Sequence, residues 1–253
     1  MDFATIGGLL FAAFAVMGAF TLDGGRAESI FLFAPILLVV GGSLGVAALG
    51  SSGGVVRAMP SYFRIALFGR SAHRRPIADT IVRMAERARR EGILALEKEL
   101  VSADNKFLTT ATLLVIDGVD MHTLRDAMAN EISCLSGRHQ RGIDFFTRLG
   151  GYSPTLGILG TVLALVHTLG QVENPERIAG AIASAFIATL WGVGMANLVW
   201  LPLADKLRTR HDDEVETLEM IAEGVIAIQS GDNPRLVRTR LDPYVNSTRR
   251  RAA

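Results

Sequence analysis

The chain has 253 residues, 49% of them hydrophobic, and its 26 basic and 25 acidic side chains leave a formal net charge of +1. That balance implies no nucleic-acid partner. A single cysteine, Cys134, excludes an internal disulfide and a thiolate metal site. Five histidines show no pair at metal-ligand spacing, and no Walker sequence supplies a nucleotide site, so neither an enzyme nor a bound cofactor is expected.

Four apolar stretches dominate the chain: Phe3 to Leu22, Ile30 to Leu49, Leu149 to Leu169 and about Ala179 to Leu203. Each is near the roughly 20 residues of helix that span a hydrocarbon core about 30 Å thick. The first is not read as a cleaved signal peptide, because Asp2 is acidic and no Lys or Arg precedes Phe3. None of the four holds Asp or Glu. The expected fold is therefore an all-α polytopic membrane protein with four transmembrane helices. Of the Lys and Arg residues, 15 lie between Arg57 and Arg148 and 9 follow Ala204, whereas the two short connections, Asp23 to Ser29 and Gln171 to Ile178, hold only Arg26 and Arg177. Basic residues are retained on the cytoplasmic side. Both termini and the long middle segment are thus expected in the cytoplasm, with the short loops outside.

The expected organisation is a first transmembrane hairpin at 1–56, a cytoplasmic helical domain at 57–148, a second hairpin at 149–204 and a cytoplasmic helix and tail at 205–253. Within the cytoplasmic domain, Gly69 to Pro76 reads as an exposed Arg-rich turn. From Ile77 to Leu100, Ile81, Met84, Ala85, Ala88, Gly92, Ala95, Leu96 and Leu100 recur at spacings of three and four, as one helix face requires. A second helix is expected from Met121 to His139, bounded by Asp117 and Gly118 before it and by Gly137 near its end. A further charged helix should run from Asp205 to Gln229 and break at Ser230 to Pro234.

Four stretches resemble the flagellar motor stator family MotA/PomA, within the MotA/TolQ/ExbB superfamily. Gly150, Gly151, Tyr152, Ser153, Pro154, Thr155, Leu156, Gly157, Ile158, Leu159, Gly160, Thr161 and Val162 look like that family's third transmembrane segment. Ala88 to Glu97 looks like its cytoplasmic motif. Ile187 to Gly192, with Ala196 and Asn197, looks like its fourth segment, and Glu223 to Gly231 with Asn233, Pro234 and Arg235 looks like its C-terminal helix.

The resemblance implies an inner-membrane stator subunit, with no enzyme activity, that converts an ion gradient into torque. Its partners would be a MotB/PomB-type subunit carrying the transmembrane Asp and a peptidoglycan-binding domain, the rotor protein FliG, membrane lipid, and further copies of itself, a pentamer being expected. Pro154 matches the proline that couples ion flow to movement, and Thr161 and Thr189 match positions facing the partner's Asp, where hydroxyls can contact sodium. Arg89, Arg90 and Glu97 match the rotor-binding charges, and Arg89 and Glu97, eight apart, would share one helix face. Thr161 points to sodium and Ala188 to protons; the proton is favoured, with sodium as the alternative. An ExbB/TolQ-type energy-coupling subunit and a passive membrane scaffold remain as other readings. The small residues Gly157, Gly160 and Gly192 would in any case let membrane helices approach closely.

Overall fold

The computed structural model describes residues 3–69, 73–100, 105–169 and 175–251, and among these every regular element is helical. Helix α1 (Phe3–Leu22) precedes a 3-10 turn at Ala27–Ile30. Helices α2 (Phe33–Ile36) and α3 (Gly42–Leu49) are joined by a π-helical turn at Leu37–Gly41. After α4 (Gly53–Phe68) come α5 (Arg74–Glu91), a 3-10 turn at Ile93–Leu96, α6 (Glu97–Leu100), α7 (Lys106–Ile116) and α8 (Met121–Leu169). Helix α9 (Pro175–Gly194) passes through a second π-helical turn, Met195–Trp200, into α10 (Leu201–Gln229), and α11 (Pro234–Arg251) ends the described chain.

Two apolar helical runs, Met121–Leu169 and Ile182–Gln229, are long and apolar enough to cross a membrane, whereas Gly7–Leu22 and Phe33–Leu49 are apolar but shorter. The second run begins at Phe33 rather than Ile30 because Leu32 is extended (φ −90°, ψ 126°). The backbone carbonyl of Ile30 is instead taken by the Trp191 indole, whose Nε1 donates over 2.8 Å.

Three local expectations are corrected. The helix expected over Ile77 to Leu100 ends at Glu91, because Gly92 adopts φ 86°, a left-handed conformation that terminates helices and favours glycine. The helix expected over Met121 to His139 continues to Leu169 without interruption at Gly137. One glycine costs about 1 kcal/mol against alanine, and buried side chains on both sides of it, Leu124 and Met128 before, Ile143 and Phe146 after, outweigh that. Finally, Arg74 is not in an exposed turn but opens α5 as a buried residue, 5% exposed. Residues 70–72 of that expected turn lie outside the described residues, as do 171–174 of the second short connection.

The chain divides into two compact units, Met1–Arg70 with His139–Thr209, and Ser71–Arg138 with Arg210–Ala253. The first unit has its tightest core where Phe63 of α4, Phe146 of α8 and Trp200 meet edge to face or tilted, with ring centroids 5.3 to 6.4 Å apart. Phe145, Phe146 and Leu149 are fully buried there, each worth about 2 kcal/mol of apolar transfer. Many of the unit's other large apolar side chains remain exposed, including Phe11, Phe14, Ile158, Val162, Leu163 and Phe186. An apolar surface of that extent marks a partner or a membrane.

The second unit buries an apolar core of its own. Ile81, Met84 and Ala85 of α5 pack with Leu96, Phe107, Leu108, Leu124, Met220, Ile221 and Leu241, so the predicted apolar face of α5 is the one buried. Helix α8 starts where the Asp120 carboxylate accepts from the backbone N–H groups of His122 (3.0 Å) and Thr123 (3.1 Å). The Thr123 hydroxyl bond, followed by these backbone bonds, holds the Asp120 carboxyl below its ordinary value. Burial, with Glu219, Glu223 and Glu216 nearby, pushes the Tyr244 phenol up.

Arg74 ties three helices together. Its Nη2 lies 2.8 Å from the Glu216 carboxylate and 3.3 Å from that of Asp213, both on α10, while Nε donates to Thr217 Oγ1 and Nη1 to the Tyr244 carbonyl of α11, each at 3.2 Å. A cation at a helix N-terminus opposes the macrodipole, and the two carboxylates offset this. Replacing Arg74 with Ala should strand both carboxylates and destabilise the protein by about 3 kcal/mol. Thermal unfolding of the purified protein in detergent checks this, and an unchanged midpoint would mean that the carboxylates rehydrate freely.

Candidate functional site

Helices α8 and α9 touch through glycine. A Cβ at Gly157 would lie 2.9 Å from the Ala188 carbonyl oxygen and 3.1 Å from Gly192 Cα, and a Cβ at Gly192 would lie 2.7 Å from the Ser153 carbonyl oxygen. At Gly160 it would meet Ala188 Cβ at 2.8 Å and Leu38 Cδ2 at 2.9 Å. Backbone therefore packs on backbone, the contact that small residues permit.

One turn beyond Gly157, this approach brings Thr161 and Thr189 together. Their Oγ1 atoms are 2.5 Å apart, and Thr161 Oγ1 lies 3.1 Å from the Gly157 carbonyl oxygen and 3.2 Å from that of Ala185. Two hydroxyl protons serve three contacts, so the cluster cannot satisfy all of them at once. The result is four oxygens, two hydroxyl and two carbonyl, in otherwise apolar surroundings and without a formal charge. Such a set can solvate a hard cation or pass a hydrogen bond to an incoming acid, but it cannot itself ionise near neutral pH.

Pro154 lies inside α8 rather than at its start. It has no N–H, so the Gly150 carbonyl loses its intrahelical partner and the helix is weakened there. Beside it, the hydroxyls of Ser153 and Ser43 on α3 are 3.0 Å apart, and both residues are fully buried. Ser43 was not singled out from the sequence, although it is the only hydroxyl in the apolar run Ile30 to Leu49; that isolation was the available signal. Trp191 anchors the other end of this contact, with its ring edge-to-face against Phe31 at 5.8 Å. His167 is exposed on α8.

The charged residues of the second unit form a separate surface. Arg89 and Arg90 are exposed at the end of α5, and Glu97 is exposed at the start of α6. Arg89 and Glu97 do not share a helix face, because Gly92 and the 3-10 turn separate their helices. Behind them Arg87 pairs with Glu99 and, at 3.3 Å, with Glu91, bonds that raise the guanidinium pKa further. Sequence reasoning missed Arg87, which clasps the corner, and Leu94, which stands 73% exposed between the predicted charges. A cleft of about 510 Å³ opens here, lined among others by Ala88, Arg89, Leu94, Gln229 and Asp232.

Overpacking this glycine contact should separate the helices. Gly192→Ala is expected to lower stability by about 1–3 kcal/mol through its collision with the Ser153 carbonyl. Gly194→Ala, where a Cβ meets nothing within 4 Å, serves as the control; equal unfolding midpoints for the two variants would refute the contact.

Residues 99–220 match the MotA/TolQ/ExbB proton channel family. Motility protein A of Treponema phagedenis is 37% identical over 97% of this chain and 95% of its own length. Among solved structures, that of C. jejuni MotAB superposes with a TM-score of 0.92 at 26% identity, covering 96% of each chain. The flagellar MotAB stator complex from Bacillus subtilis superposes with a TM-score of 0.87 at 29% identity, again covering 96% of each chain. The glycine-packed helix pair, the paired hydroxyls and this full-length similarity lead to one conclusion: the chain belongs to the MotA/TolQ/ExbB proton channel family, among its motility protein A members.

Proposed function

We propose that this chain is the A-type subunit of a flagellar stator that converts a transmembrane ion gradient into torque. The observation that carries the reading is the Thr161–Thr189 hydroxyl pair, set at a glycine-tight contact between α8 and α9 in a chain whose four apolar stretches hold no Asp or Glu. Ionisable groups inside a membrane are costly and mark ion pathways. An ion pathway here needs an acid from outside the chain, and a MotB-type partner with a transmembrane Asp supplies it. When that Asp exchanges its ion, the hydroxyls bond to its charged or neutral form in turn. Each elementary charge that crosses releases about 2.3 kcal/mol per 100 mV of potential.

In this reading the four apolar stretches are transmembrane, both termini are cytoplasmic and the inner membrane is the site of action. Several copies, expected to be five, surround the partner helices, and the exposed apolar side chains Ile158, Val162, Leu163 and Phe186 face partner, neighbouring copy or lipid. Pro154, at the weakened turn of α8, converts the change at the hydroxyls into movement. Exposed Arg89, Arg90 and Glu97 engage the rotor protein FliG; such rim charges set orientation and encounter rate more than affinity. Ala188, buried beside Gly160, adds no third hydroxyl, which favours the proton, with sodium the alternative.

In a strain lacking this protein, wild type should restore swimming and Pro154→Leu should not, with flagella present in both; collapse of either the proton or the sodium gradient should abolish the restored swimming and name the ion. Unchanged swimming of the deletion strain, with a defect in outer-membrane uptake, would move the chain to an energy-coupling role of the ExbB/TolQ type. Charge reversal, Arg89→Glu or Glu97→Arg, is expected to slow swimming at unchanged membrane abundance, scored by tracking and immunoblot; normal speed in both variants would remove these residues from the rotor contact.

A further inference from the structure

The Ser43–Ser153 pair has too few protons for its contacts. Ser153 Oγ lies 2.8 Å from the Leu149 carbonyl oxygen, Ser43 Oγ is hydrogen-bonded to the Val39 carbonyl, and the two hydroxyl oxygens are 3.0 Å from each other. Carbonyls only accept and each serine has one proton, so three contacts share two protons. Both hydroxyls can bond to their own helices and leave the helices uncoupled, or one can release its carbonyl and donate across. Both side chains are 0% exposed, with no bulk water to fill the missing bond. The carbonyl released within a helix keeps its backbone bond, so the states lie close in energy.

Their location gives the exchange a consequence. Val39 lies in the π-helical turn Leu37–Gly41, and such turns mark irregular, often functional, points of a helix. Leu149 immediately precedes Gly150, the residue whose carbonyl loses its partner to Pro154. The Ser153 backbone is also the surface on which Gly192 of α9 rests. Thus the pair joins the irregular turn of one helix to the weakened turn of another, at the base of the contact that holds Thr161 against Thr189.

We propose that Ser43 and Ser153 are positioning residues, a hydroxyl latch between α3 and α8 that exchanges its hydrogen bonds as α8 shifts about Pro154. The inference rests on the stator reading. Neither serine touches the translocated ion; each acts through the segment around Pro154.

The test uses the full stator in the deletion strain, with Ser43→Ala, Ser153→Ala, the double variant and Ser43→Thr, which keeps the hydroxyl. Membrane abundance is measured by immunoblot and swimming speed as a function of the driving gradient. Either alanine should reduce maximal speed about twofold or more at normal abundance, with the half-saturating gradient unchanged, because the ion site is intact. The double variant should be no slower than the slower single variant, since each removes the same cross-link, and Ser43→Thr should retain most of the speed. Wild-type speed in both alanine variants, independent additive losses, or a loss explained by lower abundance would overturn the latch while wild-type rescue leaves the stator reading standing. Failure of the wild type itself to restore swimming would overturn both.

Discussion

The close approach of α8 and α9 through Gly157 and Gly192 is the constraint on which the functional geometry depends. Hydroxyls reach only a few ångströms from their helix axes, so Thr161 and Thr189 meet at 2.5 Å only because backbone rests on backbone one turn away. Any side chain at these glycines would interpose its Cβ within 3 Å of a carbonyl oxygen. In an apolar setting no hydrophobic gain drives helices together, and van der Waals contact with a few interhelical hydrogen bonds must suffice. The glycines provide the first and the threonines the second.

The side-chain hydroxyls that meet between α3, α8 and α9 are neutral. Ser43, Ser153, Thr161 and Thr189 form two interhelical pairs, both with fewer protons than contacts, and both flank the segment that follows Pro154. Hydrogen bonds that compete for one proton exchange at little energetic cost. Trp191 and the Phe63–Phe146–Trp200 cluster supply the fixed points around them: aromatic packing is stiff and its geometry specific. The second unit obeys different rules. It buries a contiguous apolar cluster, and Arg74 joins three of its helices by charge-assisted bonds.

Much of this was legible in the sequence because periodicity and composition are local signals. Four apolar stretches are helical, the apolar face read over α5 is the buried one, and the Asp205 to Gln229 helix ends where its Ser-Gly-Asp-Asn-Pro breaker stands. Pro154, Thr161 and Thr189 were identified by motif resemblance, but only the structure shows the threonines in contact. Two of the errors concern glycine and run in opposite directions. Gly137 does not end its helix, since packing on both sides outweighs a cost of about 1 kcal/mol, whereas Gly92, expected inside a helix, ends one through a positive φ. Local pattern does not reveal which glycine is held by tertiary contacts.

By itself the sequence determined the helical class, the four apolar stretches, the absence of an acid within those stretches and the absence of an internal disulfide, because these follow from residue identity and period alone. The tertiary structure decided which hydroxyls meet, that Arg74 is buried against two carboxylates more than a hundred residues away, that Ser43 belongs beside Pro154, and that Arg89 and Glu97 lie on different helices. Those facts depend on contacts between residues distant in the chain, and such contacts are set by how whole helices pack rather than by any window of sequence.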